Sequence, residues 1–117
     1  MTKTLTLLQR NNLINGNGLA AELQVSSQET YSFIVVRATD TTKYLNSIDT
    51  NSLKFWLRKY EIQKHYVDND LDVSDDELIN SIHLKGIIGF SQLELELSKY
   101  IDDLSILDVE WKCNNPL

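Results

Sequence analysis

A nine-residue run of largely apolar residues, Tyr31 to Thr39, places the strongest constraint on how this chain can fold. It reads Tyr-Ser-Phe-Ile-Val-Val-Arg-Ala-Thr, and its central apolar residues are consecutive rather than alternating. β-Branched and aromatic residues favour strands, and a strand with consecutive apolar residues is covered on both faces. The run therefore predicts a central strand with other parts of the molecule on each side of it.

The residues before this run predict an antiparallel meander. The alternation of a half-buried strand appears twice, with Leu5 and Leu7 among threonines and again at residues 19–25. Between them, Asn15-Gly16-Asn17-Gly18 is a turn sequence, because Asn and Gly tolerate positive φ. The first third of the chain is therefore interpreted as strands joined by a hairpin turn.

Helical patterns follow residue 39. From Asn51 to about Tyr66, spacings of three and four place four apolar side chains on one helix face: Leu53, Trp56, Leu57 and Tyr60. Two capping boxes, in which a Ser and a Glu three residues later bind each other's backbone amides, predict two more helices. They are Ser74–Glu77, with the staple pair Val73 and Leu78, and Ser91–Glu94, with the pair Phe90 and Leu95 and a stripe continuing to Leu104. The segment 86–89 is the predicted connection between these helices.

The last strand is predicted at residues 106–113, where Leu107, Val109, Trp111 and Cys113 share one face. The length of 117 residues suits one domain. The patterns together predict a single α+β domain over residues 1–117. Its antiparallel sheet has three to four strands, an N-terminal meander plus a C-terminal edge strand, and packs against about three helices.

Charge is unevenly distributed along the chain. Residues 1–60 contain seven basic and four acidic residues, a net of +3, whereas residues 61–117 contain four and thirteen, a net of −9. The densest part is the segment Asp68–Glu77, which we call the acidic segment: six of its ten residues are acidic and none is basic. Such a segment attracts basic partners and repels nucleic acid. A basic group that could pair with it internally precedes it: Lys54, Arg58, Lys59 and Lys64.

No motif for catalysis, metal binding or nucleotide binding is found in the sequence, which therefore predicts a protein that is not an enzyme and has no cofactor. Asp68, Asp70 and Asp72 fit the first ligand positions of an EF-hand loop, but Val73 and Ile79 stand where Gly and Glu are required. His65 and His83 do not form a short-spaced ligand pair, and we interpret them as ordinary surface or core residues.

The expected compartment is the cytoplasm. One cysteine, Cys113, cannot form an internal disulfide, which suits a reducing environment. The chain has no recognisable signal peptide and no apolar stretch of about 20 residues that could span a bilayer. No membrane partner is predicted.

The chain resembles bacterial toxin-immunity proteins, including those of contact-dependent growth-inhibition systems, in size, acidity and layout. The acidic segment is the part of the sequence on which this resemblance rests. This resemblance implies a non-catalytic protein that inhibits a basic partner, a cognate toxin domain such as a nuclease. The predicted partner-binding residues are Tyr66, Asp68, Asp70, Asp72, Asp75, Asp76 and Glu77. Tyr60 and Tyr100 are further candidates for aromatic anchors at an interface.

Three alternatives remain open at the level of sequence. The acidic residues could mimic nucleic acid, as in phage-type inhibitors, although they lie on a loop and one helix start rather than in a regular array. The chain could instead be a small regulatory or adaptor subunit whose acidity is incidental, or an enzyme whose residues assemble from distant positions.

Overall fold

The computed structural model describes residues 3–23, 29–39, 53–69 and 78–110. These form five strands, three α-helices and one 3₁₀ turn. In chain order they are α1 (Leu7–Ile14), β1 (Leu19–Leu23), β2 (Thr30–Ala38), β3 (Lys54–Gln63), α2 (Lys64–Asp68), β4 (Ile79–Ile88), α3 (Phe90–Leu97), the 3₁₀ turn (Leu104–Ile106) and β5 (Asp108–Val109).

The strands form one antiparallel sheet in the order β4-β3-β2-β1-β5. Strands β1 to β4 are a meander, and β5 returns to pair Val109 with Leu19 at the edge. The α+β class, the meander and the C-terminal edge strand are therefore confirmed, with five strands in place of the predicted three to four. Trp111 and Cys113 of the predicted last strand lie outside the described residues.

β2 is the central strand, as predicted, and its two faces contribute to two separate apolar clusters. Ile34 and Val36 belong to the larger cluster, which is covered by α1, α3 and the chain that follows α3. Phe33 and Val35 belong to a smaller cluster on the opposite face, where α2 contributes half-buried side chains. Within the described ranges, no helix has the length and apolar character needed to cross a membrane.

The predicted strand at Leu5 and Leu7 is wrong, because residues 7–14 form α1. The helix begins with a capping box in which the Gln9 amide donates to Thr6 Oγ1 (3.2 Å) and the Thr6 amide donates to Gln9 Oε1 (2.8 Å). The predicted hairpin turn instead ends this helix. Gly16 has φ 88°, and its amide and that of Asn17 bond back to carbonyls in the last turn of α1, the pattern of a Schellman motif.

The predicted helix from Asn51 to Tyr66 is also wrong, because most of it is β3, with only the short α2 after it. Phe55 and Leu57 are buried in the larger cluster, whereas Tyr60 and Ile62 are buried in the smaller one. A strand that is apolar on both faces loses its alternation, and its apolar residues then fall by chance at helical spacings.

The helix predicted from the box at Ser74 is contradicted where it can be compared, since Ile79–Ile88 is β4. The box itself, with Val73, lies outside the described residues. From Ile79 onward the chain pairs with β3 instead of continuing a helix. Gly86, predicted in a connection, lies within β4 at a register shift and has φ 71°.

A helix is confirmed at the second box, but the box does not form. α3 begins at Phe90 with Gly89 as its N-cap and ends at Leu97 rather than continuing to Leu104. The Glu94 carboxylate instead accepts hydrogen bonds from the Leu5 amide (2.6 Å) and Arg10 (2.9 Å). The predicted staple is absent as well, because Leu95 is 63% exposed.

Candidate functional site

The acidic segment starts from a defined place at one end of the sheet, which we call the Asp68 corner: Glu29, Tyr31, Lys64, Tyr66 and Asp68. The Lys64 amide at the start of α2 donates to the Glu29 carbonyl (2.8 Å), which attaches α2 beside the start of β2. Asp68 ends α2 and is exposed, and its Oδ1 accepts a hydrogen bond from the Tyr31 hydroxyl (2.9 Å). The Lys64 ammonium lies 5.2 Å from the centre of the Tyr31 ring.

Both flanks of the acidic segment pack on the same side of the sheet. Val67 precedes the segment and Leu78 follows it, and both are half-buried against the smaller cluster. Ile79 then pairs with Glu61 as β4 begins. The chain therefore leaves the Asp68 corner and returns to the neighbouring strand. An open depression of about 440 Å³ lies at this corner, lined by Glu29, Gln63, Lys64, His65, Asp68 and Asn69.

Two of the seven predicted partner-binding residues are described, and they lie together. Tyr66 is half-buried against the smaller cluster, and its ring centre is 4.1 Å from that of His65. Tyr66 and Asp68 are two residues apart in α2. The others, Asp70, Asp72, Asp75, Asp76 and Glu77, lie outside the described residues. Of the further aromatic candidates, Tyr60 is fully buried, which removes it as a surface anchor, and Tyr100 packs against the larger cluster.

The hydrogen bond at the Asp68 corner has an electrostatic consequence. It raises the pKa of the Tyr31 phenol above its ordinary value of 10.0, because the neutral hydroxyl can donate to the Asp68 carboxylate and the phenolate cannot. Desolvation of the phenol and the negative charges of Asp68 and Glu22 act in the same direction. The higher pKa favours the protonated phenol, which is the form that donates to Asp68.

The basic group that precedes the acidic segment does not gather at the corner. β3 has 10 residues, which is roughly 33 Å at about 3.3 Å per residue, so Lys54 and Lys64 lie at opposite ends of it. Arg58 and Lys59 lie in the middle of the strand. Of these four residues, Lys64 is the one that reaches the corner, where it faces the Tyr31 ring.

A second feature, which sequence reasoning missed, lies on the same face of the sheet, and we call it the Arg37–Arg58 pocket. Its volume is about 200 Å³, and its lining is Val35, Arg37, Trp56, Arg58, Tyr60, His83 and Glu110. The strand register builds it, because Arg37 lies opposite Trp56, and Arg58 lies between Val35 and His83 in the next row. The two arginines therefore occupy diagonal positions, and the Arg58 guanidinium lies 5.6 Å from the centre of the Tyr60 ring.

Contacts within the Arg37–Arg58 pocket fix its shape. Glu110 accepts two hydrogen bonds from Arg37, at Nε (2.7 Å) and Nη2 (2.5 Å). The Arg37 guanidinium lies 5.3 Å from the Trp56 ring centre, and the His83 ring meets Trp56 edge-on at 5.5 Å. The Glu110 pair raises the pKa of Arg37, which is charged at every physiological pH in any case.

The sequence contains the residues that indicate this pocket, but the segment that bears them was predicted as a helix and is the strand β3. Read as a strand, β3 places Trp56, Arg58 and Tyr60 on one face, because they are two residues apart. Read as a helix, it places Arg58 away from both aromatic residues. The pairing of Arg37 with Glu110, 73 residues apart, has no local signal at all.

Neither feature has the composition of a metal centre. Among the residues in the described ranges, no group of three or more His, Cys, Asp or Glu side chains comes close enough to hold a metal ion. No family model, no curated protein and no solved structure matches this chain.

Proposed function

We propose that this chain is a non-catalytic cytoplasmic binding protein that neutralises a basic protein partner, in the manner of bacterial toxin-immunity proteins. The observation that carries the proposal is the acidic segment between two packed flanks. Six carboxylates lie within ten residues, and the residues on either side, Val67 and Leu78, are held against the same cluster. A charged segment with fixed ends loses less conformational entropy on binding than a free tail does.

Electrostatics at the Asp68 corner support this proposal. Asp68 is exposed, and its partner in the structure is the neutral Tyr31 hydroxyl. Lys54, which could have compensated the acidic segment, lies at the far end of β3. The exposed carboxylate of Asp68 can therefore contact a cationic surface, and surfaces of opposite charge mainly accelerate encounter.

The test is a matched pair of charge reversals that change the net charge equally. One variant carries Asp70→Lys in the acidic segment. The control carries Asp102→Lys, an exposed position in the chain that follows α3. Partners are first captured from a lysate of the source organism at low and high salt, and their association rates are then measured with the wild type and both variants.

We expect the reversal in the acidic segment to slow association at least tenfold, and the control to change it less than threefold. The wild-type rate should fall as salt rises, because charges at a surface are screened within about 10 Å at 0.1 M salt. Equal rates for the two variants would remove the acidic segment from the interface. A rate that does not depend on salt would favour an adaptor with an apolar interface.

A further inference from the structure

β4 is a long strand at the edge of the sheet. It has 10 residues, and within the described ranges no further strand pairs with its outer side. The strand at the opposite edge, β5, has only two residues. An edge strand presents a row of backbone amide and carbonyl groups that can pair with another chain. The outer side of β4 is therefore a place where a strand from a second molecule can extend the sheet.

The side chains of β4 differ between the two faces of the strand. Leu84 packs against the larger cluster, and Ile82, two residues earlier, lies on the same face. Both are half-buried, so each still exposes apolar surface. Ser81, His83 and Lys85 lie on the other face and are exposed. An added strand covers the two aliphatic side chains best when it places aliphatic residues opposite them.

The strand β4 itself meets this requirement when two copies pair antiparallel. Between two register shifts, Ile82, His83 and Leu84 pair one to one with β3, and His83 is the centre of this regular part. With a twofold axis at His83, each Ile82 lies opposite Leu84 of the other copy, so an apolar pair forms twice. Each Lys85 then lies opposite Ser81 of the other copy rather than opposite a second lysine.

The charges along this edge suit the same arrangement. Glu77, the last residue of the acidic segment, is bonded to Leu78 just before β4 begins. Lys85 lies towards the other end of β4, and Lys54 pairs with the last residue of the strand; both lysines are exposed. Within one chain these opposite charges are kept apart by the length of the strand. Antiparallel pairing places the acidic end of each β4 beside the basic end of the other.

We propose that β4 is a dimer interface, through which two copies of this chain pair antiparallel about a twofold axis at His83 and join their sheets into one. A symmetric interface of this kind repeats each favourable contact twice. The paired part is short, and it buries less than the area of about 800 Å² per partner that is usual in stable complexes. The dimer is therefore weak. It requires no basic partner, so it is independent of the proposed function.

The first test is sedimentation velocity of the full chain at protein concentrations from about 1 μM to about 1 mM, the range in which weak dimers form. We expect the molar mass to rise from that of one chain to that of two as the concentration increases. High salt should shift the equilibrium towards the monomer, because it screens the attraction between the acidic and basic ends.

Charge variants test the contact between the two ends. Lys85→Glu should weaken dimerisation at least about tenfold, because it brings like charges together at both ends of the interface. The control, Lys99→Glu, makes the same change of charge at an exposed position in the turn after α3 and should change the affinity less than about threefold. Lys85→Glu combined with Glu77→Lys exchanges the two charges and should recover most of the affinity. Damage to the fold cannot produce such a recovery.

Cysteine variants test the register in a chain whose Cys113 is replaced by Ser. His83→Cys places two thiols opposite each other on the axis, where the Cα atoms lie within the separation of about 4.4–6.8 Å that a disulfide allows. Ser81→Cys places the two thiols four residues apart along the strands, roughly 13 Å at about 3.3 Å per residue. Mild oxidation should therefore link the chains with His83→Cys and leave those with Ser81→Cys unlinked.

A concentration-dependent dimer that is weakened by Lys85→Glu and linked through His83→Cys establishes the interface. A chain that remains a monomer up to about 1 mM would overturn the proposal. So would a dimer whose affinity is the same with Lys85→Glu and Lys99→Glu, or one that Ser81→Cys links as readily as His83→Cys.

Discussion

At the scale of single residues, Gln9 connects more of the structure than any sequence signal suggests. Its side-chain oxygen caps α1, and its Nε2 donates to the carbonyls of Leu104 and Leu107, at 2.9 Å each. The residue is 6% exposed, so these carbonyls have little access to water if the donor is removed. One amide thus satisfies a helix start and a turn nearly 100 residues later in the chain.

Replacement of Gln9 by Leu should lower the free energy of unfolding by about 2–4 kcal/mol. Two buried carbonyls lose the Gln9 donor, of which that of Leu104 keeps a longer bond from the Leu107 amide (3.3 Å), and the capping box loses its acceptor. The control is Asn11→Leu on the exposed side of α1, for which a change within about 0.5 kcal/mol is expected. Urea denaturation followed by circular dichroism measures both. A cost for Gln9→Leu as small as that of the control would mean that the hydrogen bonds of Gln9 contribute nothing net.

Tyr31 provides a second prediction at this scale, because its raised pKa depends on Asp68. The substitution Asp68→Asn removes the negative charge and should lower the midpoint of Tyr31 ionisation towards 10.0. The contribution of this contact to stability is present below the pKa of an unfolded tyrosine. It is lost as pH rises through the higher pKa of the folded protein.

The ionisation of Tyr31 can be followed by NMR of ring-labelled tyrosine, with Tyr31→Phe to assign its signal. Asp102→Asn removes a carboxylate on the opposite side of the sheet and should leave the Tyr31 midpoint where it is. A midpoint that does not move in Asp68→Asn would show that the hydrogen bond between Tyr31 and Asp68 is not formed in solution.

At the scale of elements, the sequence predicts a strand correctly where its apolar pattern does not also fit a helix. The leucine and alanine residues of β1 recur at every second position, and the central apolar residues of β2 are consecutive and β-branched or aromatic, so both strands are predicted correctly. β3 fails because it is apolar on both faces and yet interrupted by polar residues, a pattern that a helix shares. β3 forms a strand because it pairs with β2 on one side and β4 on the other. The sequence of β3 alone does not identify these pairing partners.

Capping signals illustrate the same limit. The sequence Thr6-x-x-Gln9 forms a capping box, whereas Ser91-x-x-Glu94 has the same pattern and does not. Glu94 is drawn instead to the Leu5 amide and Arg10, contacts 89 and 84 residues away in sequence. A local capping motif supplies the hydrogen-bonding groups of a capping box. Whether these groups bond to each other depends on the distant residues that the fold brings near them.

At the scale of the whole molecule, the two faces of the sheet are unequal. The larger cluster contains residues from α1, from α3 and from the strands of the sheet, and many of its side chains are fully buried. The smaller cluster is bordered by half-buried side chains such as Tyr31, Trp56 and Tyr66. Both candidate sites lie on this second side, where polar and aromatic groups reach the surface above a thin apolar base.

This inequality predicts different costs for two neighbouring residues of the central strand. Val36→Ala, in the larger cluster, should lower the free energy of unfolding by about 2–3 kcal/mol, because the packed surroundings cannot close the cavity. Val35→Ala, in the smaller cluster, should cost about half as much, since half-buried aromatic neighbours can shift into the space. Both valines are almost fully buried, at 0% and 2% exposure, and occupy the same strand, so burial and propensity are matched. Urea denaturation measures the free energy of unfolding of both variants, and m-values equal to that of the wild type show that the difference is one of stability. Equal costs would mean that the face bearing the candidate sites is packed as rigidly as the face under the helices.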